Sequence, residues 1–423
     1  MINILWITYS PIGHMSELFI GKRTQSGTWV DAMAELLNTH DEITLSVAAP
    51  YQESKVVRDN GVTYYGVPNC KRIRGAKTKT NEFNSWNNVI KQISPDIIIL
   101  WGTEYANGVD IVNVAKACSI PCLIFIQGVV KAIAVHGNGD LKYSTMLSGA
   151  SLIDGVKTLI LKIRERDLIN QCKYEEEIIN KSSGILCDSD WCSAQYLSIK
   201  NDLPIYNVSL PIGTPFVNGR WTFNACHRNT LFCIAGTGPL KGLHHLIKAI
   251  SIVKTTIPNI RLIIPGDVVR KKPYWLYQNP YMSYVYRLIK KNNLGNNIIF
   301  CGRLTPEQMA EKMLESNAFI MMSCIENHSS TLREAMYLGV PCISSAISSV
   351  PEFVTHGKNG FLYRYCDDET LAYYIKKILC DYSLAKSVSD NAYVSIRDKY
   401  PQKQIADKLI YAIKMALSNN SNS

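Results

Sequence analysis

A chain of 423 residues that is 47% hydrophobic and 19% charged has the make-up of a globular protein, and at roughly 100–200 residues per domain it holds two or three domains rather than one core. Gly 25 and Pro 17 exclude collagen-like and low-complexity chains, and no apolar run approaches the roughly 20 residues that a membrane span requires. The formal net charge of +10, from Lys+Arg 45 against Asp+Glu 35, favours an anionic partner.

Met1 to Tyr9 is apolar, with no basic region before it and no small-residue cleavage site after it, so it reads as a first strand and not as a secretory leader. Further strands are predicted at Ile43–Ala48, Ile97–Trp101, Cys122–Ile126 and Gly184–Cys187, with helices near Thr28–Asn38, Ala106–Cys118 and Val156–Asn180. A second series begins at Thr230, with strands at Leu231–Ala235, Ile260–Pro265, Ile298–Phe300, Ala318–Met322 and Pro341–Ser344. Short β-rich runs alternating with helical lengths predict an α/β chain of parallel sheets, doubly wound twice over. Pro211, Gly213, Pro215 and Gly219 interrupt the periodicity and mark a seam, giving domains over 1–215 and 216–401. Two such domains place a ligand cleft between the carboxyl ends of their strands. A last helix is predicted at Gln402–Leu417, followed by a Ser/Asn-rich tail, Leu417–Ser423, that should fray.

The odd count of 13 cysteines contains no C-x-x-C pair, which predicts buried free thiols in a reducing compartment. Adjacent His244 and His245 should point to different helix faces, so no structural metal is expected. Basic residues concentrate at Lys71, Arg72, Arg74, Lys77 and Lys79. They concentrate again at Arg270, Lys271, Lys272, Arg287, Lys290 and Lys291, around a tyrosine-rich run. Such runs are solvated surface or a docking face for headgroups, phosphorylated substrates or nucleic acid.

The most informative stretch runs from Cys324 through Glu326 and Glu334 to Gly339-Val-Pro341. Ser329, Ser330 and Thr331 should start a helix that Gly339 and Pro341 stop, leaving its amino end open to a phosphate. Two carboxylates across this turn can accept hydrogen bonds from hydroxyls. A nucleotide-sugar donor fits: sugar on one carboxylate, diphosphate on the helix, ribose on the other. Thr331-x-x-Glu334 also matches a capping box, which would make Glu334 a structural residue. Upstream, Gly236-Thr-Gly238-Pro-Leu-Lys241-Gly242 joins a strand to an apolar-faced helix, as a phosphate loop does. Lys241 can neutralise charge on a departing diphosphate.

On these residues, together with Ser348-Ser-Val-Pro351-Glu352 and Gly357-Lys-Asn-Gly360, the chain resembles family 4 of the glycosyltransferases, retaining enzymes of the GT-B fold. The resemblance implies two Rossmann-like domains facing a central cleft, with the last helix crossing back to the first domain. It implies donor-sugar contact for Glu326, ribose contact for Glu334 and phosphate contact for Lys241. The family's loop carries a preceding Arg that is missing here, so Lys241 stands as the main side-chain cation or Arg303 substitutes. Gly27 matches the Gly-rich loop that approaches the diphosphate, although a plain loop glycine reads the same way. Glu104 and Gln127 fall on the acceptor side. Gln127 stands where relatives often carry a catalytic His, and a Gln is no general base near neutral pH. His136 and, more weakly, His14 are candidates for that role.

The expected reaction is retaining transfer from a nucleotide sugar to a glycan or lipid-linked acceptor in surface polysaccharide synthesis. The leaving phosphate would take the acceptor's proton, and Glu326 as covalent nucleophile is the alternative. No metal or other cofactor and no nucleic acid are expected. The enzyme would be cytoplasmic, with an anionic membrane surface as a further partner. A reading from another class is a non-catalytic basic protein binding glycan, lipid or RNA on a decayed transferase scaffold.

Overall fold

The computed structural model describes residues 1–24, 27–70, 82–148, 152–266 and 279–421. The basic cluster Lys71–Lys79, the residues Arg270, Lys271, Lys272, Tyr274 and Trp275, and Ser26 lie outside the described residues. Two compact units divide the chain: 1–134 with 166–211 and 401–423, and 135–165 with 212–400. The seam at Pro211 falls close to the expected position, but 135–165 packs with the second unit instead of the first. Its apolar residues explain why: Met146 is buried in the second unit's core, with Leu141, Tyr143 and Leu161 packed against that core.

The first unit is built on an eight-stranded sheet of β1 (Ile2–Ile7), β2 (Ile43–Pro50), β3 (Lys55–Asp59), β4 (Val62–Val67), β5 (Ile97–Trp101), β6 (Cys122–Phe125), β7 (Gly184–Cys187) and β8 (Ile205–Asn207). Its order is β3-β4-β2-β1-β5-β6-β7-β8. Every pairing is parallel except β3 with β4. Ile4 to Ile7 and Ile97 to Leu100 are entirely buried, as strands covered on both faces must be. The helix Ile405–Ser421 belongs to this unit. It buries Ile405, Leu409, Ala412, Ile413 and Ala416, an i, i+4 stripe, in the same core as Ile4 and Trp6. The expected fraying is not seen up to Ser421, and the Asn420 side-chain amide donates to the Ser119 carbonyl at 3.2 Å.

The second unit carries six parallel strands: β9 (Thr230–Cys233), β10 (Arg261–Pro265), β11 (Ile298–Gly302), β12 (Ala318–Met321), β13 (Cys342–Ser345) and β14 (Phe361–Tyr363). They are ordered β11-β10-β9-β12-β13-β14. The chain therefore winds outward from β9 in one direction and from β12 in the other. In the first sheet the same reversal lies between β1 and β5. Ligands of open α/β sheets bind at the carboxyl ends of the strands beside such a reversal, so topology alone names two places to look.

The described residues form no disulfide: all thirteen cysteines are free, and Cys366 and Cys380 are exposed. The rings of His244 and His245 sit 4.2 Å apart between centroids, not on separate faces. They then diverge, His244 to the Tyr281 hydroxyl at 3.1 Å and His245 to Asp368 at 2.6 Å. Among the described residues no group of three or more His, Cys, Asp or Glu side chains is placed to hold a metal, and no helix is long and apolar enough to cross a membrane.

Candidate active site

At the reversal of the second sheet, β9 runs into the loop 236–242 and β12 into Ser323–Glu326. Gly242 fixes how the two meet. Its φ is +65°, and a Cβ there would lie 1.9 Å from the Met322 carbonyl oxygen, so only glycine permits this approach. The Cys324 N–H closes the contact by donating to the Leu240 carbonyl at 2.9 Å. Lys241 is thereby set against Glu326, and their side chains form a short ion pair. Glu326 also accepts from the Ser323 hydroxyl at 2.5 Å, and its own N–H donates to the Ser348 hydroxyl at 3.2 Å. Ser345 donates to the Ser323 carbonyl at 2.6 Å, and Ser349 donates to that of Asn327. Serines on and after β13 thus fasten the loop that presents Glu326.

The helix Ser330–Tyr337 begins next to this pair. Ser329 is its N-cap, in the left-handed region at φ 49° and ψ 43°, with no side-chain cap. The buried Ser329 hydroxyl has no hydrogen-bond partner among the described residues. Lys241, Ser323, Glu326, Ser329, Ser330 and Thr331 line one cavity of about 40 Å³, little more than one water's share of liquid volume. The Lys241–Glu326 pair forms part of its wall. Glu334 lies one turn further into the helix. The capping-box alternative for it fails, because the cap is Ser329 and Thr331 is already inside the helix. Burial pushes the Glu334 carboxyl up to about 8, and no described protein group donates to it.

Gly236 and Gly238 are in the loop, but neither is sterically required: a Cβ on Gly238 would meet nothing within 4 Å, and one on Gly236 would make only ordinary contacts, with the Lys241 side chain at 3.5 Å and the Gly238 nitrogen at 4.0 Å. Arg303 is exposed just after β11, two strands from β9, and is not among the residues lining the Lys241 cavity.

In the first unit, Gly27, Glu104 and Gln127 line one cavity of about 250 Å³ at the carboxyl ends of β1, β5 and β6. Gly27 has φ +87° and starts the helix Thr28–Leu37. The loops carrying Glu104 and Gln127 share a buried anchor that the sequence did not reveal, Glu175. Its carboxylate accepts from the Thr103 hydroxyl at 2.8 Å, the Tyr196 hydroxyl at 2.9 Å, and the Val130 and Lys131 N–H groups at 3.0 Å. Burial raises its pKa against those hydrogen bonds. His136 does not join Gln127. It is exposed, lies in the segment packed with the second unit, and offers its carbonyl to the Cys324 thiol at 3.1 Å. His14 is engaged by Asp59 at 2.7 Å and is not part of the cavity lining.

Residues 224–395, which contain Lys241, Glu326 and Glu334, match the family Glycosyl transferases group 1. Over this segment the chain is similar to the group 1 glycosyltransferases, and it spans less than half the length of the Bacillus anthracis relative it matches. It is 23% identical over 178 residues to N-acetyl-alpha-D-glucosaminyl L-malate synthase of Bacillus anthracis, spanning 42% of this chain and 43% of that protein. It is 24% identical over 286 residues to lipopolysaccharide 1,2-N-acetylglucosaminetransferase of Salmonella typhimurium, spanning 63% and 73%. The fold is that of sucrose-phosphate synthase from Thermosynechococcus elongatus, at TM-score 0.71 and 14% identity over 99% of this chain and 100% of that one. It is also that of HepE from Anabaena, solved with UDP and glucose, at TM-score 0.65 and 13% identity over 98% and 100%. These neighbours show the architecture of this chain to be GT-B, with two Rossmann-like units.

Proposed function

We propose that this protein is a retaining glycosyltransferase that moves a sugar from a nucleotide-sugar donor to a glycan or lipid-linked acceptor in surface polysaccharide synthesis. One observation carries the donor half of this reading: the Lys241–Glu326 pair, the open start of helix Ser330–Tyr337 and the partnerless Glu334 carboxyl converge where the second sheet reverses. In that reading the helix start and the buried Ser329 hydroxyl receive the diphosphate, whose charge suits orphan N–H donors. Lys241 turns from Glu326 to the diphosphate and offsets the charge that grows on it as the bond to the sugar breaks. Glu326, released, accepts from donor-sugar hydroxyls, and Glu334 accepts from the ribose.

The acceptor's proton goes to the leaving phosphate oxygen, and attack occurs on the face the diphosphate leaves. The protein then contributes positioning and electrostatics, with no metal. Support for a polysaccharide or lipid-linked setting comes from the Salmonella relative, named for lipopolysaccharide, and the UDP in HepE is consistent with a uridine donor. The non-catalytic reading loses its motive in the described part of the Arg270–Lys291 run: Tyr281 and Tyr284 are core residues, and Arg287 is paired with Asp154 at 3.7 Å.

The decisive experiment is thermal stabilisation by UDP-, GDP- and ADP-sugars, followed by nucleoside diphosphate release from the stabilising donor. Saturable stabilisation and release that Glu326→Gln abolishes support the reading. A wild-type protein indifferent to all three rejects it. The anomeric configuration of the product by NMR tests retention, and turnover unchanged in EDTA tests metal independence.

A further inference from the structure

The segment 135–165 packs with the second unit, and its leading turn meets the loops that follow three of that unit's strands. The His136 carbonyl accepts from the Gly139 N–H at 2.8 Å and from the thiol of Cys324, two residues before Glu326, at 3.1 Å. The hydroxyl of Tyr365, just after β14, donates to the Gly139 carbonyl at 2.9 Å. Tyr365 also stands edge-on to His245 at 5.1 Å, in the first turn of the helix Leu243–Lys254 that follows Lys241 and Gly242. Gly139 itself is buried against the loop 236–242. At its φ of +54°, a Cβ would lie 2.4 Å from the Pro239 carbonyl oxygen. That same oxygen accepts the Gly242 N–H at 2.8 Å and so closes the tight turn Pro239–Lys241. Behind the contact the segment is held firmly. The Asn138 amide donates to Glu165 at 3.0 Å, the Tyr143 hydroxyl donates to the same carboxylate at 2.9 Å, and Met146 is buried in the unit's core.

Resting on the donor reading above, we infer that Gly139 and Tyr365 are positioning residues for the donor site, through which the segment 136–141 holds the loop of Lys241 and the loop of Glu326 in one arrangement. Neither is among the residues lining the Lys241 cavity, so both act through the loops. Only glycine lets the segment reach the Pro239 carbonyl, as only glycine at 242 lets the same turn reach Met322. The turn that carries Lys241 is thus gripped by two glycine contacts, and the Tyr365 hydroxyl fixes the backbone that makes one of them. Groups that meet a reacting centre tolerate little displacement, about 1 Å costing on the order of a hundredfold in rate. A contact that fixes the Lys241 turn therefore bears on the donor although it lies outside the cavity.

Binding of UDP, GDP and ADP to the purified protein is measured by isothermal titration, and the nucleotide that wild type binds most tightly is carried through the variants. Tyr365→Phe removes only the hydroxyl and should weaken binding about fivefold, the worth of one hydrogen bond. Gly139→Ala should weaken it about tenfold or more. Gly155→Ala, in the same segment but with its Cβ in open space, should bind as wild type. In a Lys241→Met background, Gly139→Ala and Tyr365→Phe should cost no further affinity, because the group they position is gone. A purely structural defect would lower affinity in both backgrounds. Melting curves confine the comparison to folded variants, and Tyr365→Phe alone carries the test if Gly139→Ala does not fold. Wild-type affinity in Tyr365→Phe, an equal loss in the Lys241→Met background, or a comparable loss in Gly155→Ala overturns the inference and leaves the donor reading intact. A wild-type protein that binds none of the three nucleotides rejects the donor reading, and this inference falls with it.

Discussion

Glu334 is the residue whose chemistry can be separated most cleanly from its structural role. A folded-state pKa of about 8 lies above the roughly 4.3 of an unfolded glutamate. The stability this protonated form contributes is complete below the unfolded pKa and is lost as pH rises through the folded one. Nucleotide binding should run the other way, because ribose hydroxyls favour the carboxylate. Nucleoside diphosphate affinity is expected to rise about five- to tenfold between pH 6.5 and 8.5, and Glu334→Gln should flatten that profile. A slope that persists in the Gln variant assigns it to another group. Lys241 and Glu326 call for a double-mutant cycle. Both are partly screened, with side chains 33% and 15% exposed, so Lys241→Met and Glu326→Gln should couple by about 1 kcal/mol in denaturant unfolding of the free protein. Saturating nucleoside diphosphate should remove the coupling as Lys241 turns to the phosphates. Coupling that is unaffected by nucleotide rejects that movement.

At the scale of elements, the glycines of the loop 236–242 divide by function. Gly242→Ala would force a Cβ onto the Met322 carbonyl at a positive φ, and a loss of about 2 kcal/mol or more is expected in unfolding. Gly238→Ala enters open space. It should change stability by less than about 0.5 kcal/mol while lowering diphosphate affinity, if phosphate approaches that backbone. Wild-type affinity in the Gly238 variant would leave Gly242 as the only glycine of the loop with a demonstrated need. The same contrast explains what could be read from the chain. Ile97–Trp101 and Gly184–Cys187 match their predicted bounds, because strands buried on both faces are written as continuous apolar runs. The β3–β4 hairpin was missed, since Lys55–Asp59 reads Lys-Val-Val-Arg-Asp, with adjacent valines and three charges in place of an apolar run, at a sheet edge. The helix Phe83–Ile93 was also missed, although Trp86, Val89, Ile90 and Ile93 recur at helical spacing. Glu326 and Glu334 were legible as one local motif. The serines that fasten Glu326, and Glu175 beneath the first-unit cavity, were not, because they meet their partners only through sheet order.

For the whole molecule, the remaining question is where a chain of net charge +10 does its work. The proposal is peripheral attachment to the cytoplasmic face of a membrane, where lipid-linked acceptors are presented. Folding removes part of the original motive. Arg287 is spent within its own unit, on Asp154 and on the Met146 carbonyl at 2.5 Å. Tyr281 and Tyr284 are buried rather than available to headgroups, while Lys290 and Lys291 stay exposed. Each exposed cation near an anionic surface contributes on the order of 1 kcal/mol, so the attachment proposed for the described part of this run is electrostatic and does not use Tyr281 or Tyr284. Co-sedimentation should therefore be strong with vesicles of phosphatidylglycerol and weak with phosphatidylcholine, and should fall steeply as salt shortens the Debye length from about 10 Å at 0.1 M to about 3 Å at 1 M. Lys290→Glu with Lys291→Glu should reduce pelleting without altering nucleotide affinity, since both lie beyond the Lys241 cavity. Equal pelleting with both lipids, or pelleting that resists salt, would refute electrostatic attachment and leave the transferase reading as it stands.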